Sequence, residues 1–186
     1  SKPQPIEKIV IGDYINNYPL IFENKDETMG NVIFNREVHQ LAKKKLKNLN
    51  VLITDKNFNS SKIIPNEKYT INKKNYVFKK VIISIGKKII SNPNHESIIF
   101  EQKHNSYVGF FKHTKDHNNT AYEFFTNKGP LAILPAPSLD KKMSTFIYSS
   151  KEKANNYNLQ NLIKKKIEKF HGKLFFNKSI SKFPIT

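Results

Sequence analysis

The sequence predicts a mixed α/β fold, of the α+β type, in which most strands are antiparallel. Three observations favour it. Two segments repeat apolar residues at helical spacing, and a continuous apolar run at residues 81–85 is typical of a strand buried on both faces. Four further apolar stretches follow residue 106, each bounded by residues that favour turns. Strands that precede and follow the helices, without regular alternation, indicate a mixed architecture.

The first half of the chain is expected to contain short strands around one helix. Strands are predicted at residues 6–12, 18–22 and 32–34, where Ile, Val and Phe are enriched. Asn35 is expected to cap a helix over residues 36–48, with Glu37 in the first turn, where the helix dipole favours a carboxylate. Further strands are predicted at 51–54, 62–64, 69–71 and 76–78, before the buried strand at 81–85.

The second half is expected to be mostly β, with a helix near its end. Strands are predicted at residues 107–111, 121–126, 131–134 and 144–149, with prolines at the ends of the third. A helix is predicted over 157–170, and Gly172 is a suitable residue to end it. Its expected apolar face consists of Leu159, Leu162, Ile163, Ile167 and Phe170.

Composition excludes several classes of function. The 186 residues carry a formal charge of +17, but only Arg36 among 32 basic residues is arginine, and arginine dominates base and phosphate recognition. The excess of Lys, Asn, Ile and Phe is the bias of a low-GC genome, so no nucleic-acid partner is expected. Cysteine is absent, which excludes disulfides, thiolate metal sites and cysteine nucleophiles. The polar, Pro-containing start of the sequence has no apolar run, so no signal peptide is expected and a cytoplasmic location is predicted.

The most specific motif lies in residues 121–135. Its defining residues are Glu123, Phe125, Gly129, Pro130, Ala132, Leu134 and Pro135. This segment resembles the strand–turn–strand signature of the polyprenyl-methoxyphenol hydroxylases, flavin-dependent enzymes of ubiquinone biosynthesis within the para-hydroxybenzoate-hydroxylase-like FAD monooxygenases. Residues 30–36, 69–85, 144–149 and 170–184 are similar to other family segments in order and spacing, although Tyr148 stands where the family has Trp.

The resemblance implies the central fragment of an FAD-dependent monooxygenase that hydroxylates a prenylated aromatic ring, with NAD(P)H or another electron donor. It implies strands of the substrate-domain sheet at 1–30, a partial FAD-binding lobe at 31–92, and a substrate-binding, mostly antiparallel sheet at 93–186 with the helix near 157–170. The G-x-G-x-x-G and Gly-Asp motifs that hold the FAD phosphates are missing. The fragment alone is therefore expected to be inactive and to bind no FAD. The resemblance also implies peripheral contact with the inner membrane or with a biosynthetic complex.

The resemblance also implies the site residues. Arg36, Gly86, Gly129 and Pro130 are the expected cofactor-binding positions, and the expected substrate wall consists of Leu131, Ile133, Leu134 and Pro135. The motif around Gly86 departs from the family, since Ile85, Ile89 and Asn92 replace its Asp, Ser and Arg. That loss leaves open a non-catalytic or degenerate binding module of the same fold. The charge leaves open a basic binder of anionic surfaces or nucleic acid.

The remaining polar residues give weaker indications of a functional site. No catalytic residue is assigned; Glu123 is expected to make a structural hydrogen bond, because oxygen chemistry in such enzymes belongs to the cofactor. His113 and His117 are four residues apart in a segment expected to be a loop, so no metal site is predicted. His104 and His171 are expected at the surface.

Overall fold

The structure is a computed structural model that describes residues 2–13, 18–24, 26–51, 63–82, 84, 104–177 and 179–185. The chain forms two compact units, Ser1–Gln40 with Gln102–Thr186, and Leu41–Glu101. The elements in chain order are β1 (Gln4–Ile6), β2 (Lys8–Gly12), β3 (Leu20–Glu23), β4 (Gly30–Val32), α1 (Asn35–Asn48), β5 (Lys68–Ile71), β6 (Lys74–Val77), β7 (His104–His113), β8 (Thr120–Thr126), β9 (Gly129–Pro135), β10 (Met143–Ser150), α2 (Asn156–His171), β11 (Leu174–Phe176) and β12 (Ser181–Ile185).

An eight-stranded sheet dominates the first unit. Its strand order is β11-β7-β10-β9-β8-β2-β3, and β12 also pairs with β7, beside β11. Of its seven described pairings six are antiparallel, and the pairing of β2 with β8 is parallel. The continuous series β7 to β10 places the 121–135 motif at the centre of the sheet, on β8 and β9.

One face of this sheet holds the core. Successive side chains of a strand point to opposite faces, and the inward set alternates with less buried neighbours. Leu159, Ile163 and Ile167 of α2, spaced four residues apart, pack onto this face and are fully or nearly fully buried. The sheet contributes Val10, Tyr107, Phe111, Tyr122, Phe124, Leu131, Ile133, Phe146, Tyr148 and Leu174 to the same cluster.

Local signals begin and end α2. The side chain of Asn155 accepts a hydrogen bond from the Asn158 N–H, which satisfies a donor of the first turn. Gly172 ends the helix at a positive φ of 71°, and its N–H donates to the Glu168 carbonyl at 2.8 Å. A Cβ at this position would overlap the Thr114 side chain, so the glycine is required by both conformation and space.

Smaller elements complete the two units. β1 and β4 form a two-stranded antiparallel ladder in the first unit. α1 begins in the first unit and ends in the second, and none of its residues is buried. In the second unit β5 and β6 form a hairpin, whose turn places Asn72 and Lys73 at positive φ (49° and 62°), as a tight two-residue turn requires.

The predicted fold class is confirmed as mixed α+β with mostly antiparallel sheets. Both helices begin and end within one residue of the predicted bounds, and the strands of the 107–149 region occur as predicted but longer at most ends. The strands predicted at 62–64 and 81–85 are wrong where the structure describes them, since residues 63, 64, 81 and 82 are not in strands and Ile82 is 93% exposed. An apolar run is buried only when another element covers it. The 51–54 prediction falls almost wholly outside the described residues.

Candidate functional site

The face of the large sheet opposite α2 is mostly apolar and only partly buried. It is called the open face below. It carries Ile9, Ile11, Val108, Phe110, Ala121, Glu123, Phe125, Ala132, Leu134, Thr145 and Ile147. Phe125 and Ile147 are exposed at 51% and 37%, and Leu20 and Phe22 of the edge strand β3 extend the exposed apolar surface. Exposed apolar side chains that adjoin one another mark sites of interaction with ligands or proteins.

A carboxyl group lies in the middle of the open face. Glu123 is the cross-strand partner of Ile11 on one side and of Ala132 on the other, and Ala132 in turn faces Ile147. Burial among these side chains raises the pKa of the Glu123 carboxyl. Within the described ranges, the structural hydrogen bond expected for this side chain is not formed, and burial is the one influence on its pKa. Glu123 is therefore a polar group on an apolar surface, available to a ligand.

Arg36 lies next to the open face through an aromatic contact. Its guanidinium carbon is 5.0 Å from the centroid of the Phe34 ring, and that ring is 6.3 Å from Phe110. A guanidinium over an aromatic face is held by a cation–π attraction. The contact gives this exposed arginine a fixed position at the start of α1.

The Gly129–Pro130 turn is fixed by its surroundings. Gly129 has a φ of 140°, and a Cβ at this position would overlap the carbonyl oxygen of Ser149 on β10. The Thr126 hydroxyl donates to the Gly129 carbonyl at 2.6 Å and accepts from the Lys128 N–H at 3.3 Å. The turn is therefore a rigid tight turn, and only glycine fits at position 129.

The four residues of the expected substrate wall divide between the two faces. Leu131, Ile133 and Pro135 are buried on the side of α2, whereas Leu134 is half-buried on the open face. A strand of alternating orientation cannot present Ile133 and Leu134 to one ligand. Their assignment, like that of Arg36, Gly129 and Pro130 to the cofactor, stays a prediction. Gly86 lies outside the described residues.

Three histidines meet in the core beneath α2. The ring centroids of His113 and His171 are 4.4 Å apart, and those of His113 and His117 are 6.2 Å apart. His113 is hydrogen-bonded through both ring nitrogens, to the Lys115 carbonyl and the Ser144 hydroxyl. Both nitrogens of His171 and Nε2 of His117 are buried without a hydrogen-bond partner. The described residues contain no group of His, Cys, Asp or Glu suited to hold a metal ion.

The surface position predicted for His171 is wrong, since this side chain is 1% exposed. A local signal does exist. His171 continues the buried series Leu159, Ile163 and Ile167 at a spacing of four residues. The convergence with His113 and His117 depends on β7 and its following turn, which are far away in sequence.

The residues described here do not form a cradle for the FAD phosphates. Such a cradle needs a glycine-rich loop that opens a helix, so that backbone N–H groups point at the pyrophosphate. α1 begins with Asn35, Arg36 and Glu37 and α2 with Asn155 and Asn156, and neither start contains glycine. Binding of the FAD phosphates would therefore need residues other than those described.

The fold is shared with enzymes of flavin chemistry. Over 98% of its length the chain is similar to a geranylgeranyl bacteriochlorophyll reductase-like protein from Thermoplasma acidophilum, with a TM-score of 0.61 and 11% identity. It is also similar to the halogenase PltM, with a TM-score of 0.61, 8% identity and 99% of the chain covered. The flavin-dependent brominase Bmp2 gives a TM-score of 0.56 and 8% identity over 97% of the chain. A point mutant of PltM has also been crystallised in complex with FAD.

These likenesses are in fold. Comparison with protein-family profiles and with curated protein sequences gave no match. The chain spans about half the length of the structures that it resembles: 51% of the reductase-like protein, 44% of PltM and 50% of Bmp2. The chain therefore has the fold of one part of FAD-dependent oxidoreductases and halogenases. Among the described helices, none has the length and apolar character needed to cross a membrane.

Proposed function

We propose that this chain forms the substrate-side part of an FAD-dependent oxidoreductase. The open face would cover an apolar aromatic substrate. The observation that carries the proposal is the central row of this face, in which Glu123 lies between Ile11 and Ala132 and Ile147 continues the row. A fold shared with flavin-dependent enzymes supports the oxidoreductase class.

The specific reaction we propose is hydroxylation of a prenylated phenol, as in ubiquinone biosynthesis. The sequence motif that supports this reaction is the 121–135 segment, which forms the two central strands β8 and β9. A prenylated phenol combines an extended apolar chain with one hydroxyl group. The apolar part would cover exposed side chains such as Phe125 and Ile147. Each Å² of apolar surface that is removed from water contributes about 25 cal/mol to the free energy of binding.

Glu123 is the residue we propose to orient the ring. A carboxyl group whose pKa is raised by burial can accept a hydrogen bond from a phenol or, when protonated, donate one to its oxygen. The side chains nearest to it in the row, Ile11, Ala132, Ile147 and Val108, are all apolar, and the next polar side chain of the row is Ser181 on β12 at the edge of the sheet. The hydrogen bond would therefore fix the hydroxyl at one point, while the apolar neighbours exclude water from the ring.

The cofactor would be held mainly by residues other than those described. When bound, FAD supplies the redox chemistry, and NAD(P)H is the proposed electron donor. Arg36, held over Phe34 beside the open face, is the proposed contact of this chain with the anionic part of the cofactor. We propose a cytoplasmic location, with contact at the membrane surface where a prenylated substrate is taken up.

The first test measures ligand binding by the chain itself. A geranylated phenol titrated into ¹⁵N-labelled protein should perturb amides of β8, β9 and β10 around Glu123. Glu123→Gln should retain most of the affinity, whereas Glu123→Leu should lower it about five- to tenfold, the loss of one hydrogen bond. The matched control is geranylbenzene, which lacks the hydroxyl and should bind both variants equally. Perturbations confined to the α2 side of the sheet would overturn the proposed site.

The second test concerns the reaction. The polypeptide encoded by the complete reading frame should purify with FAD and should oxidise NAD(P)H faster when a prenylated phenol is added. A frame that lacks G-x-G-x-x-G ahead of this segment, or a full-length protein without flavin, would overturn the oxidoreductase proposal. Phenol binding without flavin would instead establish a non-catalytic module of the same fold.

A further inference from the structure

A cavity of about 460 Å³ lies on the opposite side of the sheet from the open face. It is bounded by the β8–β9 turn, the end of β10 and the first three turns of α2, and is called the turn–helix cavity below. Its volume is within the range of about 300–1,000 Å³ that is usual for small-molecule sites. The proposed function does not use it.

The inner wall of the turn–helix cavity is apolar. Tyr148 and Leu159 are almost fully buried, and Leu162 and Ala154 are half-buried beside them. These side chains belong to the core cluster or pack against it, so their positions are fixed by the fold. A ligand that enters would place a ring or a short hydrocarbon chain against this wall.

The rim of the cavity is basic. Lys128, Lys153 and Lys165 line it together with one carboxylate, Glu152, so that the lining carries two net positive charges. Lys128 is paired with Glu152 at 2.7 Å. Within the described residues, no carboxylate lies within ion-pair distance of Lys153 or Lys165. Two ammonium groups are therefore available to an anion.

The walls are held in place before any ligand arrives. The β8–β9 turn is fixed by Gly129 and by the Thr126 hydroxyl, as described above. The segment between β10 and α2 is fixed by two hydrogen bonds, from the Ala154 N–H to the Tyr107 hydroxyl at 2.9 Å and from the Glu152 N–H to the Ser150 hydroxyl at 3.1 Å. A rigid site loses little conformational entropy on binding.

We propose that the turn–helix cavity binds a soluble amphiphilic anion, an organic phosphate or carboxylate with a small apolar group. The apolar group would pack on Tyr148, Leu159 and Leu162. The anionic group would lie between Lys153 and Lys165, where the side-chain amides of Asn158 and Asn161 line the same rim and can donate hydrogen bonds. Charge alone would attract any anion to this basic protein, whereas this arrangement requires both parts of the ligand.

Hexyl phosphate is the probe for the test, with inorganic phosphate and hexanol as its two halves. In ¹⁵N-detected NMR titrations at low salt, hexyl phosphate should shift the side-chain amide signals of Asn127, Asn158 and Asn161. Each half should bind at least about tenfold more weakly. Lys153→Gln/Lys165→Gln should weaken binding of hexyl phosphate about five- to tenfold, as expected for two partly exposed charges. Leu162→Asn should weaken hexyl phosphate but leave inorganic phosphate unchanged.

The matched control is Lys43→Gln/Lys44→Gln on the exposed α1, which removes the same charge elsewhere. An equal loss of affinity in this control, or equal binding of inorganic phosphate and hexyl phosphate, would show attraction by net charge only and overturn the site. Vesicles with 30% phosphatidylglycerol form a further arm. If the Lys153/Lys165 variant weakens binding to vesicles but not to hexyl phosphate, the ligand is a lipid surface and the proposed soluble class is wrong.

Discussion

Mild acid should destabilise the sheet unit through its buried histidines. Burial, together with a smaller effect of the nearby His113, lowers the pKa of His117 to about 4 and that of His171 to about 3. Burial also lowers the pKa of His113 itself. In the unfolded chain each histidine has its ordinary pKa of 6.5. Below that pH the unfolded state binds more protons than the folded state. The free energy of unfolding is therefore highest above pH 6.5 and decreases as the pH is lowered below 6.5.

The magnitude follows from proton linkage. Between pH 6.5 and the folded pKa, each histidine removes about 1.4 kcal/mol of stability per pH unit. From pH 7 to pH 5 this amounts to about 2 kcal/mol for each of His117 and His171, and about 4 kcal/mol for both. Such a loss is a large part of the roughly 5–15 kcal/mol that stabilises a typical domain. Glu123, whose pKa is raised, acts in the opposite direction, but only near and below its own pKa.

The assay is urea unfolding followed by circular dichroism at pH 7, 6 and 5. His171→Phe keeps a ring among Phe111 and Tyr122 and should reduce the loss of stability between pH 7 and pH 5 by about 2 kcal/mol. His117→Gln should do the same if the first variant does not fold. His39→Gln removes an exposed histidine of α1 and should leave the pH dependence of the sheet transition unchanged. A free energy of unfolding that is constant within about 0.5 kcal/mol from pH 7 to pH 5 would refute the argument.

Three further predictions concern stability. Gly129→Ala should lower the free energy of unfolding by about 2–4 kcal/mol, since the added Cβ overlaps a carbonyl of β10 at a strained φ. Its control, Gly30→Ala, has open space around it and should lower the same free energy by less than about 1 kcal/mol, as measured by urea unfolding. Ile163→Ala should lower the free energy of unfolding by about 2–5 kcal/mol because it leaves a cavity under α2. Val38→Ala on the exposed α1 should change it by no more than about 0.5 kcal/mol. Glu123→Leu should be more stable than the natural protein at pH 7, with a gain that shrinks as the pH falls through the raised Glu123 pKa; a gain independent of pH would contradict the desolvation argument.

The candidate site was only partly visible in the sequence. The motif at 121–135 identified β8 and β9. Alternate residues of the motif lie on opposite faces of the sheet: Tyr122 and Phe124 point to the core, and Glu123 points away from it. The predicted substrate wall nevertheless combined Ile133 with Leu134, which lie on opposite faces. The turn–helix cavity was not predicted, because it joins the β8–β9 turn to a helix about thirty residues later in the chain.

The sequence by itself determined the local structure of this protein. Helical spacing defined α1 and α2, Gly172 ended the second, and turn residues separated the strands, because these signals act within a few residues. Tertiary structure alone decided what each apolar or polar side chain meets. Ile82 is exposed although it lies in an apolar run, and His171 is buried although it is polar. Burial depends on contacts between segments distant in the chain, and no local pattern records which of them will meet.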